Sequence, residues 1–435
     1  MRIYAFQTNK SKYYYKRLSK IIYCLGGPNY FYKEVQVPNY VKKMHKSIDV
    51  VIDVILCSYC IMIFGAFFTQ HNLNKKQQND TLIYGTTFGV LYSFVPLVKT
   101  QVKKIRVVFF NVCVKMKRVY NDADVENEMV KKAKLYSYMF GFTLLSMLIF
   151  NGIDAGVKAF IKGGTFTTAV ITAWPDIHDT SRAAGIGRLI NYMLLWLFII
   201  RITSVVNSPL ILMTIALSHQ YKNLNSYFYS LAGIFEREDL SQNEKEKMYD
   251  DAIKRGIAEH SNLLECVLIP SVALRRLSKR FFELKHILTL FQVFEIDAEN
   301  MQHTVQWKNY VQCCFAHFVM TILISTGCFW WNAGDITIEA SHLAVAMFYS
   351  GWHNCYGGAS GRIKSSLLIA MWKSQKPVAL KCLGFISLSY SSYVTVIYIF
   401  IYDIVSPSQQ RETNAKNRVV WVIILTCECT FIFQI

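Results

Sequence analysis

The sequence predicts an all-α, polytopic membrane protein: a bundle of membrane-spanning helices with a cytoplasmic N-terminus. Three observations support this fold class. Of the 435 residues, 53% are hydrophobic and the mean hydropathy is +0.24, whereas soluble domains contain roughly 45–50% apolar residues. Several apolar runs approach the ~20 residues that a helix needs to cross a bilayer. Basic residues concentrate beside those runs, where they hold a span against the cytoplasmic leaflet.

The formal net charge of +18 also raises the question of a nucleic-acid partner. The Lys and Arg residues, however, lie in segments that flank apolar runs and would face the anionic cytoplasmic leaflet. Membrane orientation therefore accounts for the charge, and we expect no nucleic-acid partner. The expected environment of the apolar helices is membrane lipid.

The sequence contains no pattern that indicates catalysis or a bound metal. Its 12 cysteines include the neighbours Cys313 and Cys314 and the pair Cys427 and Cys429, whose spacing is too short for a Cys-x-x-Cys zinc site. Walker, Gly-x-Gly-x-x-Gly, His-Glu-x-x-His and Gly-x-Ser-x-Gly motifs do not occur in it. We expect no enzyme activity, no cofactor and no metal.

The spans follow from the runs of mostly apolar residues. Clear candidates are 48–68, 82–98, 135–160, 189–217 and 310–331. A further pair, 366–383 and 390–405, is interpreted as one broken helix. Lys373, Lys376 and Pro377 interrupt its first part, which favours a position inside protein rather than against lipid.

The distribution of basic residues predicts that the N-terminus lies in the cytoplasm. Residues 1–46 contain many Lys and Arg residues and a single acid, Glu34. The next loop carries only Lys75 and Lys76, and the segment 103–134 is again strongly basic. Basic and less basic loops therefore alternate through the first three spans.

The chain divides into a basic cytoplasmic segment, 1–46, a transmembrane domain, 47–405, and a divergent tail, 406–435, with a marginal apolar run. Between the fourth candidate span and 310–331, the best apolar stretch is 286–294. Nine residues cannot cross a bilayer. A span at this position is expected to be weak: shortened, displaced or lost.

The segment 330–392 carries the most specific pattern. It reads WWNAGDITIEASHLAVAMFYSGWHNC and, from Arg362, RIKSSLLIAMWKSQKPVALKCLGFISLSYSS. An acidic residue, a Tyr-x-x-Trp pair, basic residues before a Ser-Gln-x-Pro turn and a Gly-Phe-x-x-Leu-Ser stretch follow one another. This order resembles the last third of the insect odorant receptor family, particularly its moth-type members. The segments 173–176, 215–224 and 256–264 resemble further parts of the same family.

The resemblance implies a seven-transmembrane, ligand-gated channel subunit, opposite in orientation to G-protein-coupled receptors. Such a receptor binds a volatile odorant. With a shared co-receptor subunit, in a hetero-oligomer expected to be a tetramer, it forms an odorant-gated non-selective cation channel. The expected location is the plasma membrane of olfactory sensory neuron dendrites. Two alternatives stay open: a gustatory-type chemoreceptor, and a non-conducting, disrupted product of splicing or of the gene model.

An odorant cavity in the outer half of the helices needs apolar and aromatic side chains, because a volatile ligand offers few polar atoms and binds mostly by burial. With the predicted topology, those halves carry aromatic and sulfur-containing candidates. The ligand-binding candidates are Tyr84, Phe88, Met147, Phe150, Tyr192, Trp196 and Phe315. Ordinary helix packing or contact with lipid is the alternative for each of them.

The resemblance also implies a pore lined by the last helix and a cytoplasmic anchor at which subunits pack. The pore-lining candidates are Tyr393, Val394, Ile397 and Phe400. They recur at helical spacing and can share one face, which would close a pore by dewetting or pack against a neighbouring helix. The anchor candidates are Tyr349, Trp352, Lys373 and Lys376. Aromatic residues are favoured at subunit contacts.

Arg201 lies within the fourth apolar run, where a charged side chain is costly and often functional. The favoured interpretation is a long, tilted helix that places Arg201 near its inner third, paired with a neighbouring group. A structural role is therefore expected for this residue.

Overall fold

The chain is helical over most of the part that the structure, a computed structural model, describes. The described residues are 9–29, 38–71, 73, 75–161, 170–291, 305–357, 360–382, 386–395 and 398. Their helices, in chain order, are α1 (Lys10–Cys24), α2 (Asn39–Thr69), α3 (Lys75–Phe110), α4 (Ala123–Ile161), α5 (Arg182–Ile202), α6 (Ser208–Ser230), α7 (Gln242–Phe291), α8 (Val305–Phe348) and α9 (Ser360–Ser374). Two-residue strands, β1 (Lys381–Cys382) and β2 (Ile386–Ser387), pair antiparallel, and the last helix begins at 390. The predicted all-α bundle is confirmed.

Short turns of altered helical pitch join several elements. A π-turn (Asn111–Lys115) and a 3₁₀ turn (Met116–Arg118) follow α3. A second π-turn (Thr203–Asn207) joins α5 to α6, and a 3₁₀ turn (Leu231–Ile234) follows α6. The helices α5 and α6 with these turns therefore form one continuous rod, Arg182–Ile234.

Among the described residues, two helices are long and apolar enough to cross a membrane by length and composition: α2 and the rod Arg182–Ile234. On α2, the buried residues recur at helical spacing: Leu56, Tyr59, Ile63 and Ala66. Its opposite side exposes further apolar residues such as Val54, Ile61 and Phe68. A helix that is apolar on its outer face as well suits a lipid environment. The predicted spans 48–68 and 189–217 lie within these two helices.

α6 lies at the centre of the bundle. Almost every residue from Pro209 to Phe228 is buried, and α4, α7 and α8 pack around it. The approach of α7 depends on Gly256, because a Cβ at this position would lie 2.6 Å from the ring of Phe228. A helix that is enclosed on all sides forms the core of the bundle.

α7 supplies a helix where the sequence predicted a weak fifth span. It continues from Gln242 to Phe291 without interruption, so the helix itself is not lost at 286–294. Its 50 residues include many charged side chains, so the helix as a whole is only weakly apolar, as the sequence predicted. The side chains beyond 268 in this helix lie outside the described residues.

The interpretation of 366–383 and 390–405 as one broken helix is wrong. α9 ends at Ser374, and the short β1–β2 ribbon separates it from the last helix. Pro377 explains the break, because proline lacks an N–H donor and its ring clashes with the preceding turn of a helix. α9 packs instead against α7 and α8 as a separate element.

A buried carboxylate fixes α1 to the bundle. Glu126, on α4, accepts hydrogen bonds from the N–H of Ser11 at 3.0 Å and from its hydroxyl at 2.5 Å. It also pairs with Lys117 at 3.3 Å, and both side chains of the pair are 4% exposed. Although burial alone would raise the pKa of Glu126, the charge of Lys117 and the hydrogen bonds from Ser11 hold it below its usual value.

Replacing Glu126 with Gln should destabilise the folded chain by about 3 kcal/mol, because the buried ammonium of Lys117 loses its counter-charge. The matched control is Glu128→Gln on the same helix. Its pair with Lys222 is largely exposed and is worth under about 1 kcal/mol. Thermal unfolding of the purified full chain in one detergent measures both variants. Equal melting temperatures would contradict the role of Glu126.

Candidate functional site

An aromatic cluster joins α2, α3 and α5. Phe88, on α3, lies between Tyr59 of α2 and Phe198 of α5, with ring centroids 6.2 Å and 4.5 Å away. All three side chains are buried, and these distances suit aromatic pairs. Phe88 therefore has a packing role in addition to its candidacy as a cavity residue. Sequence reasoning missed Tyr59 and Phe198, because apolar spacing does not tell which faces of two helices meet.

Two further cavity candidates lie together where α5 meets α4. Tyr192 donates a hydrogen bond to the carbonyl of Leu148 at 2.5 Å, and its ring centroid lies 6.2 Å from that of Trp196. α4 can come this close because residue 152 is a glycine. A Cβ at this position would clash with the Tyr192 hydroxyl. Among the described residues, the Nε1 of Trp196 is buried with no hydrogen-bond partner. Because an indole N–H can only donate, it is available to an acceptor atom of a ligand.

The other cavity candidates lie on helices that these contacts involve or that pack against the core. Tyr84 is on α3, Met147 and Phe150 flank Leu148 on α4, and Phe315 is on α8. Their side chains are outside the described residues. The structure thus brings Tyr192 and Trp196 together, whereas Phe88 has ring contacts with Tyr59 and Phe198. That all seven line one cavity stays a prediction.

The loop before α5 is bound across the outer ends of two helices. Gln70, after α2, donates to the carbonyls of Thr172 at 2.9 Å and Pro175 at 3.0 Å. Arg188, on α5, is buried and donates to the carbonyl of Asp176 at 2.9 Å. Because these bonds end on main-chain carbonyls, they fix the path of the loop. The loop therefore forms a fixed cover at the outer end of α5.

Arg201 is paired, as the sequence predicted, with neighbouring groups. Its side chain is 1% exposed and contacts Asp53 at 2.9 Å and also Asp49, both on α2. Lys99 of α3 binds the same two carboxylates, at 2.9 Å from that of Asp49. The guanidinium also donates to the carbonyl of Gly26, just after α1. Two cations and two anions cancel locally, which lowers the cost of burying them between apolar helices.

The pore candidates at the start of the last helix have different surroundings. Tyr393 is buried, with its ring centroid 6.3 Å from that of Trp330 and 6.0 Å from that of Trp331. Val394 is 63% exposed. Tyr393 therefore packs within the chain and Val394 does not, and that these residues line a pore stays a prediction. The other two candidates, Ile397 and Phe400, lie outside the described residues.

The anchor candidates lie between the end of α8 and the residues that follow α9. Tyr349 and Lys373 are exposed, and Trp352 is half-buried. Lys376 lies 5.1 Å from the ring centroid of Trp372, a cation–π distance. Trp372 is itself 65% exposed. An exposed tryptophan with basic neighbours is typical of a protein contact surface, and the contact between subunits stays a prediction.

Known proteins agree with this architecture. The family described as 7tm Odorant receptor matches residues 98–400, well over half of the chain. Among solved structures, the insect olfactory receptor OR5 from Machilis hrabei is similar, with a TM-score of 0.58 and 11% identity over 90% of this chain and 97% of that receptor. The same receptor in complex with eugenol gives a TM-score of 0.57 and 10% identity, over 90% and 96%. At such identity these structures establish a shared fold. No curated protein sequence matches the chain.

Arg201→Gln should lower the amount of folded protein at the cell surface about fivefold or more, because Asp49 and Asp53 are then left with Lys99 alone. Adding Asp49→Asn should restore most of it, since Lys99 and Asp53 remain a matched pair. Arg182→Gln, at the exposed start of α5, is the control. Surface labelling of the expressed chains measures all three. A double variant no better than Arg201→Gln would contradict charge balance as the cause.

Proposed function

The chain belongs to the 7tm odorant receptor family, and on that premise we propose that it is the ligand-binding subunit of an odorant-gated, non-selective cation channel. The proposed ligand is a volatile small molecule held in a cavity in the outer half of the helices. The proposed partner is the shared odorant co-receptor, in a hetero-oligomer. The proposed site of action is the plasma membrane of an olfactory sensory neuron.

The observation that carries the proposal is the contact of Tyr192 with α4 and with the neighbouring ring of Trp196. It provides aromatic surface together with one buried, unpartnered N–H donor. A volatile molecule gains most of its binding energy from burial, about 25 cal/mol per Å² of apolar area, and its orientation from a few polar contacts. A receptor with the same fold was solved in complex with eugenol, which supports a small organic ligand for this fold.

The exposed surface of α9 supports a channel of several subunits. Leu368, Ile369 and Trp372 expose most of their side chains on this 15-residue helix. Large apolar residues grouped on a polar-flanked helix mark a contact surface more often than a solvated one. Lys373 and Lys376, beside them, add charge at the edge of the surface. A co-receptor subunit is the proposed occupant.

The alternative of a non-conducting product depends on the weakly apolar α7. Its helix is continuous, which favours an intact bundle, whereas its basic residues Arg275, Arg276, Lys279 and Arg280 argue against an ordinary span. A gustatory-type receptor is not favoured by any observation on the described residues. Measurements of odorant-evoked current distinguish a conducting receptor from a non-conducting product.

The experiment that tests the proposal is whole-cell recording from cells that express the full chain with and without an insect co-receptor. The odorant panel contains esters, alcohols, aldehydes and aromatics, with eugenol among the last. A cation current that requires both subunits and survives blockade of G proteins is expected. Absence of current in cells with labelled chain at the surface would overturn the channel assignment.

Trp196→Ala should raise the odorant concentration for half-maximal current about tenfold, because the ligand loses roughly 1.4 kcal/mol or more of aromatic contact. Trp196→Phe keeps the aromatic surface and removes the N–H, so it should weaken the response only to odorants that carry an acceptor oxygen.

The matched control for Trp196 is Met193→Ala on α5, because the side chain of Met193 is largely exposed whereas the Nε1 of Trp196 is buried. It should leave the half-maximal concentration within about twofold, because it contributes lipid contact rather than ligand contact. Equal effects of Met193→Ala and Trp196→Ala would contradict a cavity between α5 and α4.

A further inference from the structure

The last helix is seated on two glycines of α8. A Cβ built on Gly334 would lie 2.9 Å from the ring of Tyr390, and one built on Gly327 would lie 2.8 Å from the hydroxyl of Tyr393. Both distances are too short for a real side chain. The two glycines are seven residues apart and so lie on one face of α8. Small residues on one face allow two helices within a membrane to approach closely.

Asp335, next to Gly334, ties this seat to a third helix. The hydroxyl of Tyr390 donates to its Oδ1, and Lys132 of α4 pairs with its Oδ2. One carboxylate thereby joins α4, α8 and the first turn of the last helix. Both contacts are charge-assisted hydrogen bonds, which are stronger than bonds between neutral groups. The tether is additional to the packing of the two rings.

The three joined elements also connect the two proposed sites. α4 carries Leu148, the partner of Tyr192, in its outer half, and α8 carries the cavity candidate Phe315. The last helix carries the exposed pore candidate Val394. Asp335 is therefore a point at which two helices of the proposed cavity are bonded together and to the proposed pore helix.

We propose that Asp335 is a positioning residue that couples odorant binding to movement of the last helix. This inference rests on the proposed function. A shift of α4 or α8 on odorant binding moves the carboxylate of Asp335. The last helix follows, because the Tyr390 hydroxyl is bonded to this carboxylate and the Tyr390 ring packs directly on Gly334. A ligand shifts such an equilibrium only through contacts that differ between its states, and this tether supplies them.

Two substitutions remove the tether with little change in shape. Tyr390→Phe keeps the ring on Gly334 and removes the donated proton, and Asp335→Asn keeps the size and removes the charge. In full chains expressed with the co-receptor, each should reduce the ratio of odorant-evoked to odorant-independent current about tenfold. A simple loss of folded protein lowers both currents equally and leaves the ratio unchanged. Lys132→Gln, which removes only the contact with α4, should give a smaller reduction.

The matched control is Tyr138→Phe, a tyrosine of α4 that is exposed and is not one of the partners of Asp335. It should keep the wild-type ratio of currents. Hydrogen exchange of the purified full chain gives a readout that does not depend on conduction. Exchange in 386–395 should be about tenfold faster in Tyr390→Phe and Asp335→Asn than in the control, because the seat has lost a hydrogen bond.

The outcomes separate this inference from the proposed function. A wild-type chain that responds to odorant, with Tyr390→Phe and Asp335→Asn responding equally well, would overturn the coupling and leave the proposed function in place. A silent wild-type chain would overturn the proposed function. Hydrogen exchange would then test only whether Asp335 holds the start of the last helix. Equal exchange rates in 386–395 for the variants and the control would overturn that tether.

Discussion

The structure depends most on the cancellation of charge inside an apolar bundle. A buried ion without a partner costs several kcal/mol, so Arg201, Asp49, Asp53 and Lys99 have to meet. These contacts fix the positions of α2, α3 and α5 relative to one another along the helix axes. The aromatic cluster around Phe88 lies further along the same three helices and takes its register from them. Ionic pairing thus fixes what apolar contact, which is not directional, leaves free.

The same chemistry holds the N-terminal segment in place. α1 has 15 residues and many basic side chains, and helices of this length are marginal on their own in water. Its position comes from buried groups of other helices that bond to the main chain of α1 and of the turn after it. Glu126 accepts from the N–H of Ser11, and Arg201 donates to the carbonyl of Gly26. Gly26 turns the chain with a φ of 85°, a conformation that glycine adopts without strain.

Length and hydropathy suffice to predict where the main helices lie, and the cost of burial suffices to predict that Arg201 is paired. Spacing alone cannot tell what a face contacts. Tyr393 and Val394 are neighbours, yet one packs onto Gly327 and the other is exposed. Pro377 predicted an interruption but not that α9 would be a separate helix. The candidate site shows the same limit, because individual aromatic residues were identified from the sequence but their partners on other helices were not.

α4 connects the N-terminal anchor, the contact with Asp335 and the proposed odorant cavity along one helix. Its start is fixed by the buried pair of Glu126, Lys132 follows within two turns, and Leu148 meets Tyr192 further out. At about 1.5 Å per residue, Lys132 lies roughly a quarter of the way from Glu126 to Leu148. A helix that pivots at Glu126 therefore moves Lys132 by only about a quarter of the displacement at Leu148. Such a small movement changes the energy only of a contact that depends steeply on distance. The direct hydrogen-bonded pair of Lys132 and Asp335 is such a contact, whereas long-range attraction between screened charges is not.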